Sequence, residues 1–372
     1  MLRCAGSLIC SNSLTYASDL KAVVSLQTPL HNCVQIATDI APPPQGHGLP
    51  QLGGSPDQAC AASGLQRTLT LLTGHLVVAL VALVVIGGTT RVMEAGLACP
   101  DWPLCYGALL PGRQMNLQVF LEWFHRLDAF LVGLALLVLS ALSLVYRSRL
   151  PGWLPWLSAG ALLLVAAQGL LGALTVVHLL EASTVTAHLA TALLLVLLLS
   201  GLHQRLLLAF SQPAAPAVAP ATPLWWRFLL VAPVLLVLAQ CVLGGAMASQ
   251  WSADLCFAAG EACSWLLAHR LLAYPAALSV LLLALGSLLL RAPAEGAPLQ
   301  PMRGLALAGA GLVVLQVLLG VTTLRLALAV PAVTVAHQLV AALLVAVLGA
   351  LLGRSWPGSG AFTQSNLEVD HG

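Results

Sequence analysis

The stretch Leu121-Glu122-Trp123-Phe124-His125-Arg126 sets a carboxylate, an imidazole and a guanidinium into the start of an apolar segment. Glu122 and His125 are spaced i,i+3, so on a helix both side chains face one lateral target, a turn apart. Ionisable groups in a membrane span cost roughly 2.5–3.5 kcal/mol each at its centre and less toward its ends, so they are read first as functional. Three later histidines echo this one. His269 is followed by arginine as His125 is, and His188 and His337 are each preceded by alanine. A lone imidazole inside a bundle is commonly a hydrogen-bonded packing residue. Four at matching places are not explained by packing, and two facing imidazoles from neighbouring helices make an axial pair for a haem iron. Zinc also accepts imidazole, but it asks for three or four clustered ligands, so two separate pairs suit two macrocycles better.

The groups around these histidines refine that chemistry. Arg126 and Arg270, each beside a histidine, could pair with haem propionates or serve as headgroup anchors. Glu122 aligns with Leu266 when the His-Arg pairs are superposed, so one site has a carboxylate a turn before its imidazole and the other has none. Two electron-carrying sites gain nothing from that difference; a site that performs chemistry on its ligand does. The plainer alternative is that Glu122 caps its helix through the favourable field at a helix amino terminus. Two short loops each carry paired cysteines, Cys99 with Cys105 and Cys256 with Cys263. Neither spacing matches a zinc knuckle, so two disulfides on the oxidising side of the membrane are expected, as staples or as redox-active pairs. Cys241 reads as a small buried residue. His178 reads as a surface group at a helix end, and His75 and His203 lie away from the four.

The elements that must hold these groups are membrane helices. The chain is 59% hydrophobic and 8% charged, with mean hydropathy +0.94, far from the roughly 25% charged residues of a soluble domain. A formal charge of +2 gives no reason to expect nucleic acid as a partner; membrane lipid surrounds such a chain. Apolar runs near residues 69–88, 120–146, 153–177, 184–206, 228–248, 265–290, 304–325 and 331–352 are each close to the roughly 20 residues that cross a bilayer. The fold expected is an all-α polytopic membrane protein with eight transmembrane helices as two parallel four-helix bundle repeats. QGLLGALTVVHLLEASTVTAHLATALLL from Gln168 matches QVLLGVTTLRLALAVPAVTVAHQLVAALL from Gln316, and Gln240-Cys241-Val242-Leu243-Gly244-Gly245 parallels the helix that ends in Gly87-Gly88. An even number of spans per unit makes the units parallel, related by an axis along the membrane normal. Overlaying them puts His125 on His269 and His188 on His337, all at one depth. Gly172, Gly244 and Gly320 leave room for close helix approach or for a ring.

The expected organisation is an amino-terminal extension (1–66) and a first four-helix half (67–210). A Pro/Ala-rich linker (211–227), a second half (228–354) and a tail (355–372) follow. With the amino terminus in the cytoplasm, Arg67, Arg147, Arg149, Arg205, Arg227, Arg291, Arg303 and Arg354 fall at cytoplasmic ends. Arg91, Arg113, Arg126, Arg270 and Arg325 fall outside, so both termini are placed inside. The extension is poor in basic residues and lacks the pattern of a mitochondrial transit peptide, which favours a bacterial plasma membrane.

GGTTRVMEAGLACPDWPLCYG, then MNLQVFLEWFHRLDA and TAHLATALL, resembles the haem A synthase family over about residues 69–352; the ACPDWPLC loop joined to E-x-x-H-R is the specific part. The resemblance implies that haem O is the substrate, held by His125 and His188, and that haem b is a cofactor held by His269 and His337. It implies that Glu122 is required for oxidation of a ring methyl to a formyl group, and that Cys99 and Cys105 assist the outer side of the substrate site. Haem O would be handed over by haem O synthase, and electrons would leave to an acceptor that the sequence does not identify; an oligomer is compatible with it. A dihaem electron-transfer cytochrome or a haem transporter would share the four histidines but leave its haem unmodified.

Overall fold

The structure is a computed structural model that describes residues 56–211, 222–247, 264–290 and 300–355. The predicted extension before residue 56, most of the linker, the tail after residue 355 and the Cys256–Cys263 pair lie outside the described residues. Eight helices are long and apolar enough to cross a membrane, and no strand occurs among the described residues. They are α1 (Pro56–Val92), α2 (Leu117–Val145), α3 (Leu154–Val177), α4 (Ala182–Ser211), α5 (Leu224–Met247), α6 (Ser264–Leu289), α7 (Gln300–Arg325) and α8 (Pro331–Ser355).

Of the boundaries that depart from the hydropathy reading, two have a plain local reason. Helix α2 starts at Leu117 because Asn116, extended at φ −137°, accepts a hydrogen bond from the Val119 N–H on its side-chain oxygen. That is an N-cap, invisible to a hydropathy window. Asn116→Ala is expected to lower the thermal unfolding midpoint by an amount equivalent to about 1 kcal/mol. Helix α4 continues past the polar run His203-Gln204-Arg205 because each member has a neighbour. Thr73 Oγ1 lies 3.0 Å from His203 Nδ1, Arg354 donates to Gln204 Oε1 at 2.7 Å, and Arg205 stacks 4.5 Å above the Trp153 ring. His203 thus links α4 to α1 through Thr73.

The helices alternate in direction, and their ends are tied across. Trp226 at the start of α5 donates from Nε1 to Ser355 Oγ at the end of α8, at 2.8 Å. Arg303 near the start of α7 donates to the Ser287 and Leu290 carbonyls at the end of α6, where a cation suits the helix dipole. Helices α1, α3 and α7 end alike: Ala95, Leu180 and Leu328 each donate a backbone N–H to the carbonyl of Thr90, Thr175 and Thr323.

Helices α4 and α8 meet along an extensive seam. There Gly349-Ala350-Leu351-Leu352-Gly353 lies against Leu197 and Gly201 so closely that a Cβ added at Gly353 would sit 2.1 Å from the Gly201 carbonyl oxygen, and one at Gly349 2.4 Å from that of Leu197. Small residues let membrane helices bring their backbones together where no hydrophobic effect separates lipid from protein. Ser200 Oγ donates to the Ala346 carbonyl at 2.6 Å across the same seam. The remaining core is Leu- and Val-rich, with Leu136, Leu139, Leu195, Leu199 and Leu230 fully buried.

Candidate functional site

Each of the four histidines stands in the early turns of an even-numbered helix and rests on a glycine of the helix before it. A Cβ at Gly87 would lie 2.9 Å from His125 Cε1, one at Gly172 3.4 Å from His188 Cε1, and ones at Gly244 and Gly320 3.0 Å from Cε1 of His269 and His337. A methyl added at Gly87, Gly244 or Gly320 would press on the imidazole, whereas one at Gly172 would meet it at ordinary contact distance. All four rings also have a buried Nδ1 without a hydrogen-bond partner. A buried polar atom left unpaired costs about 1–3 kcal/mol, and four equivalent ones call for a ligand that pairs with them.

The sequence-predicted first pair does come together. The rings of His125 and His188 have centroids 6.5 Å apart and stand edge to face at 73°. Two metal–nitrogen bonds of about 2 Å, with about 1 Å from each nitrogen to its ring centre, span about 6 Å, so this spacing suits imidazoles on opposite sides of one iron. Among the described residues no group of three His, Cys, Asp or Glu is placed to hold a bare metal ion. The donor set therefore fits haem iron.

In the second half the imidazoles have an added neighbour. Gln240 Nε2 lies 3.2 Å from His269 Nε2 and donates to the His269 carbonyl at 2.9 Å, and Gln316 Nε2 lies 3.3 Å from His337 Nε2. In the sequence these glutamines stand out only as part of a repeated motif, and their spacing, one turn before a glycine that faces the imidazole, is the signal for this contact.

Glu122 is buried, and it is not a helix cap, since Asn116 fills that role. Its Oε2 accepts the Cys99 N–H at 2.7 Å and its Oε1 pairs with Arg126 one turn along the helix. Arg126 gives its other donors to the loop before α2: the carbonyls of Leu104 at 2.6 Å, Cys99 at 3.1 Å and Asp101. The loop is itself closed by the Cys99–Cys105 disulfide, with both cysteines buried. Glu122 and Arg126 thus form a clasp that fastens the cystine loop over the outer end of α2. Arg270, its counterpart in sequence, is exposed. His178 is also exposed and lies 3.5 Å from the Glu181 carboxylate, the surface role expected for it. Cys241 is a free cysteine packed at the edge of the core.

Inside the loop, Asp101 accepts the N–H groups of Gly107 at 2.7 Å and Tyr106 at 2.6 Å. The Gly107 N–H above all holds its carboxyl below the usual carboxylate range, against desolvation, and the Tyr106 N–H and the Arg126 charge add to it. A depressed folded-state value means that this contribution is complete above the unfolded value of about 3.9 and fades as pH falls through the lower folded one. Hydrogen-exchange protection of the Tyr106 and Gly107 amides should hold at neutral pH and fade only below about pH 4, whereas Asp101→Ala should remove it at pH 7.

Residues 69–349 match the model of a family described as cytochrome oxidase assembly protein. The chain is 30% identical to a "Heme A synthase" of Rhizorhabdus wittichii over 75% of its own length and 90% of that protein's. It is 30% identical to a "Heme A synthase" of Shewanella oneidensis over 51% of this chain, a match that spans 60% of the Shewanella protein. A shorter stretch, 21% of the chain and 16% of the relative, is 37% identical to a "Protoheme IX farnesyltransferase" of Haloarcula marismortui.

Proposed function

Because this chain belongs to the cytochrome oxidase assembly protein family, we propose that it is a haem A synthase, a membrane oxidoreductase that oxidises a ring methyl of haem O to a formyl group. The observation that carries the reading is an imidazole pair, His125 with His188, whose ring centroids stand 6.5 Å apart, with a buried carboxylate a turn from one of them. In this proposal the pair holds the substrate haem O, and His269 with His337 holds a resident haem b. When bound, haem b supplies one-electron redox chemistry that carries electrons from the substrate toward an acceptor.

The chain's own residues do the rest. His125 of α2 and His188 of α4 would hold the substrate through its iron. Glu122 sits where it can take a proton at Oε2 as the methyl carbon is oxidised, with Arg126 stabilising its charged form. The cystine loop, fastened by the same two side chains, keeps water from the outer end of the site. Arg270, exposed beside His269, would be the partner of a haem propionate. The Haloarcula likeness is in keeping with a haem O synthase as the donor of substrate. A multi-pass protein of the bacterial plasma membrane, with a duplicated four-helix unit and both termini cytoplasmic, completes the proposal.

Haem extraction with mass identification, from cells with and without the gene, tests it. The enzyme makes haem A appear; a dihaem cytochrome or a transporter leaves the haem pool chemically unchanged, and that outcome sinks the proposal. Single alanine variants refine it. His269→Ala or His337→Ala should cost the purified protein its haem b, and His125→Ala or His188→Ala should retain haem b but bind no haem O.

A further inference from the structure

The carboxyl-terminal ends of α1 and α5 are braced from across the bundle. In α1 the glycine that seats His125 is followed by Gly88, and in α5 the one that seats His269 is followed by Gly245. A Cβ added at Gly88 would overlap Gln338 Oε1 of α8, with Cδ 2.7 Å away, and one added at Gly245 would lie 2.6 Å from Leu189 Cδ2 of α4. Gln338 directly follows His337, and Leu189 directly follows His188. The residue after each of these imidazoles therefore rests on the helix that seats an imidazole of the opposite pair.

Each crossing sets the position of a helix end. Both glycines lack a Cβ where one would collide, so α1 and α5 approach α8 and α4 this closely only with glycine there. Consecutive residues of a helix move as one hydrogen-bonded unit, so a side chain pressed on Gly88 fixes where Gly87 stands. His125 is sensitive to that place, because a Cβ at Gly87 would come within 2.9 Å of its Cε1. A metal ligand has to be held to within about 0.5 Å of its productive position. Gln338 Oε1 is buried and has no conventional hydrogen-bond partner, so no other bond explains where it lies. What faces it is the Gly88 Cα–H, a weak donor of the kind that recurs where helices meet closely. Leu189 makes the equivalent contact with a methyl group.

We infer that Gln338 is a positioning residue for the substrate ligand His125, and Leu189 one for His269, so that each imidazole pair is completed by a side chain carried next to a ligand of the other. The inference rests on the proposed assignment of haem O to the first pair and haem b to the second. Its consequence is crossed: a change beside His337 is felt at the substrate haem rather than at haem b.

The test titrates purified full-length protein with haem O and reads haem b content, the haem O dissociation constant and the ferric low-spin EPR g values. Gln338→Ala should weaken haem O binding about 10-fold and shift the haem O g values, with haem b content and g values unchanged. Gly88→Ala should do the same, because its methyl takes the place of the amide oxygen and the flexible Gln338 side chain, rather than the helix, moves away. The double variant should bind haem O no more weakly than either single one, since the methyl then meets the space the amide has left. Independent effects would instead multiply to about 100-fold and overturn the inference. Gln338→Leu should recover most of the binding, as leucine makes this contact at position 189. Leu189→Ala should reverse the pattern, with haem b passing to excess apomyoglobin about 10 times faster and haem O binding retained. Wild-type haem O binding in Gln338→Ala overturns the inference, as does loss of haem b there with haem O binding retained. Should that variant not accumulate, wild-type binding in Gly88→Ala overturns it instead. Because binding is read rather than turnover, a wild-type protein that binds both haems without making haem A refutes the functional proposal alone; one that binds no haem O refutes both.

Discussion

Glu122→Gln is expected to cut haem A formation by roughly 100-fold or more while the protein keeps haem b and still binds haem O. Glutamine preserves the shape and leaves an oxygen to accept the Cys99 N–H, so the loop remains attached on that side. What it removes is the charge, and with it a group able to take a proton. The Arg126 guanidinium then loses its carboxylate partner but keeps the carbonyls of Cys99, Asp101 and Leu104. Breaking a buried ion pair on one side commonly costs 3–5 kcal/mol; here the remaining acceptors and the partial exposure of Arg126 reduce the penalty. Arg126→Gln is the companion variant. It should loosen the loop, seen as faster hydrogen exchange over residues 99–107, and lower activity less than Glu122→Gln does. Wild-type turnover in Glu122→Gln would remove the carboxylate from the chemistry and leave it a structural clasp alone.

Gly353→Leu is expected to do the greatest structural damage of any single change. Its Cβ would sit 2.1 Å from the Gly201 carbonyl oxygen, a backbone atom that cannot step aside as a side-chain tip can. Helices α4 and α8 would have to separate, and the seam also carries the Ser200 to Ala346 bond. Overpacking of this kind costs about 1–3 kcal/mol and occasionally more. Because His188 and His337 ride on the two helices forced apart, both haems should be lost together. The control is Gly311→Ala on α7, where an added Cβ meets nothing within 4 Å and the helix should gain up to about 1 kcal/mol. Thermal unfolding in detergent and haem content after gel filtration decide it: equal midpoints for the two variants would show that the α4–α8 seam does not hold the bundle.

The contrast between these two sites reflects what a linear pattern can carry. Apolar runs of bilayer length located all eight helices, because a span has to be long and greasy wherever it packs. The imidazoles were equally visible, since a costly group at the start of each even-numbered helix stands out against leucine. Helix periodicity also put Glu122, His125 and Arg126 near one another. It did not say what would fold over them. Arg126, for which the sequence offers a propionate or a lipid headgroup as partner, turns its donors to the loop, and Glu122 is bonded to Cys99 while Asn116 does the capping that was the plainer alternative for it.

By itself, then, the sequence determined the class, the spans, the candidate ligands and the cysteines that close the first loop, each of which follows from local composition and spacing. Only the tertiary structure decided which glycine seats which imidazole, that α4 and α8 meet backbone to backbone, and that Gln240 and Gln316 reach the histidines. The physical reason is that hydropathy reports the transfer of each residue from water to lipid, a property of the segment alone. A hydrogen bond or a close approach between residues far apart in the chain exists only once the helices have chosen their neighbours.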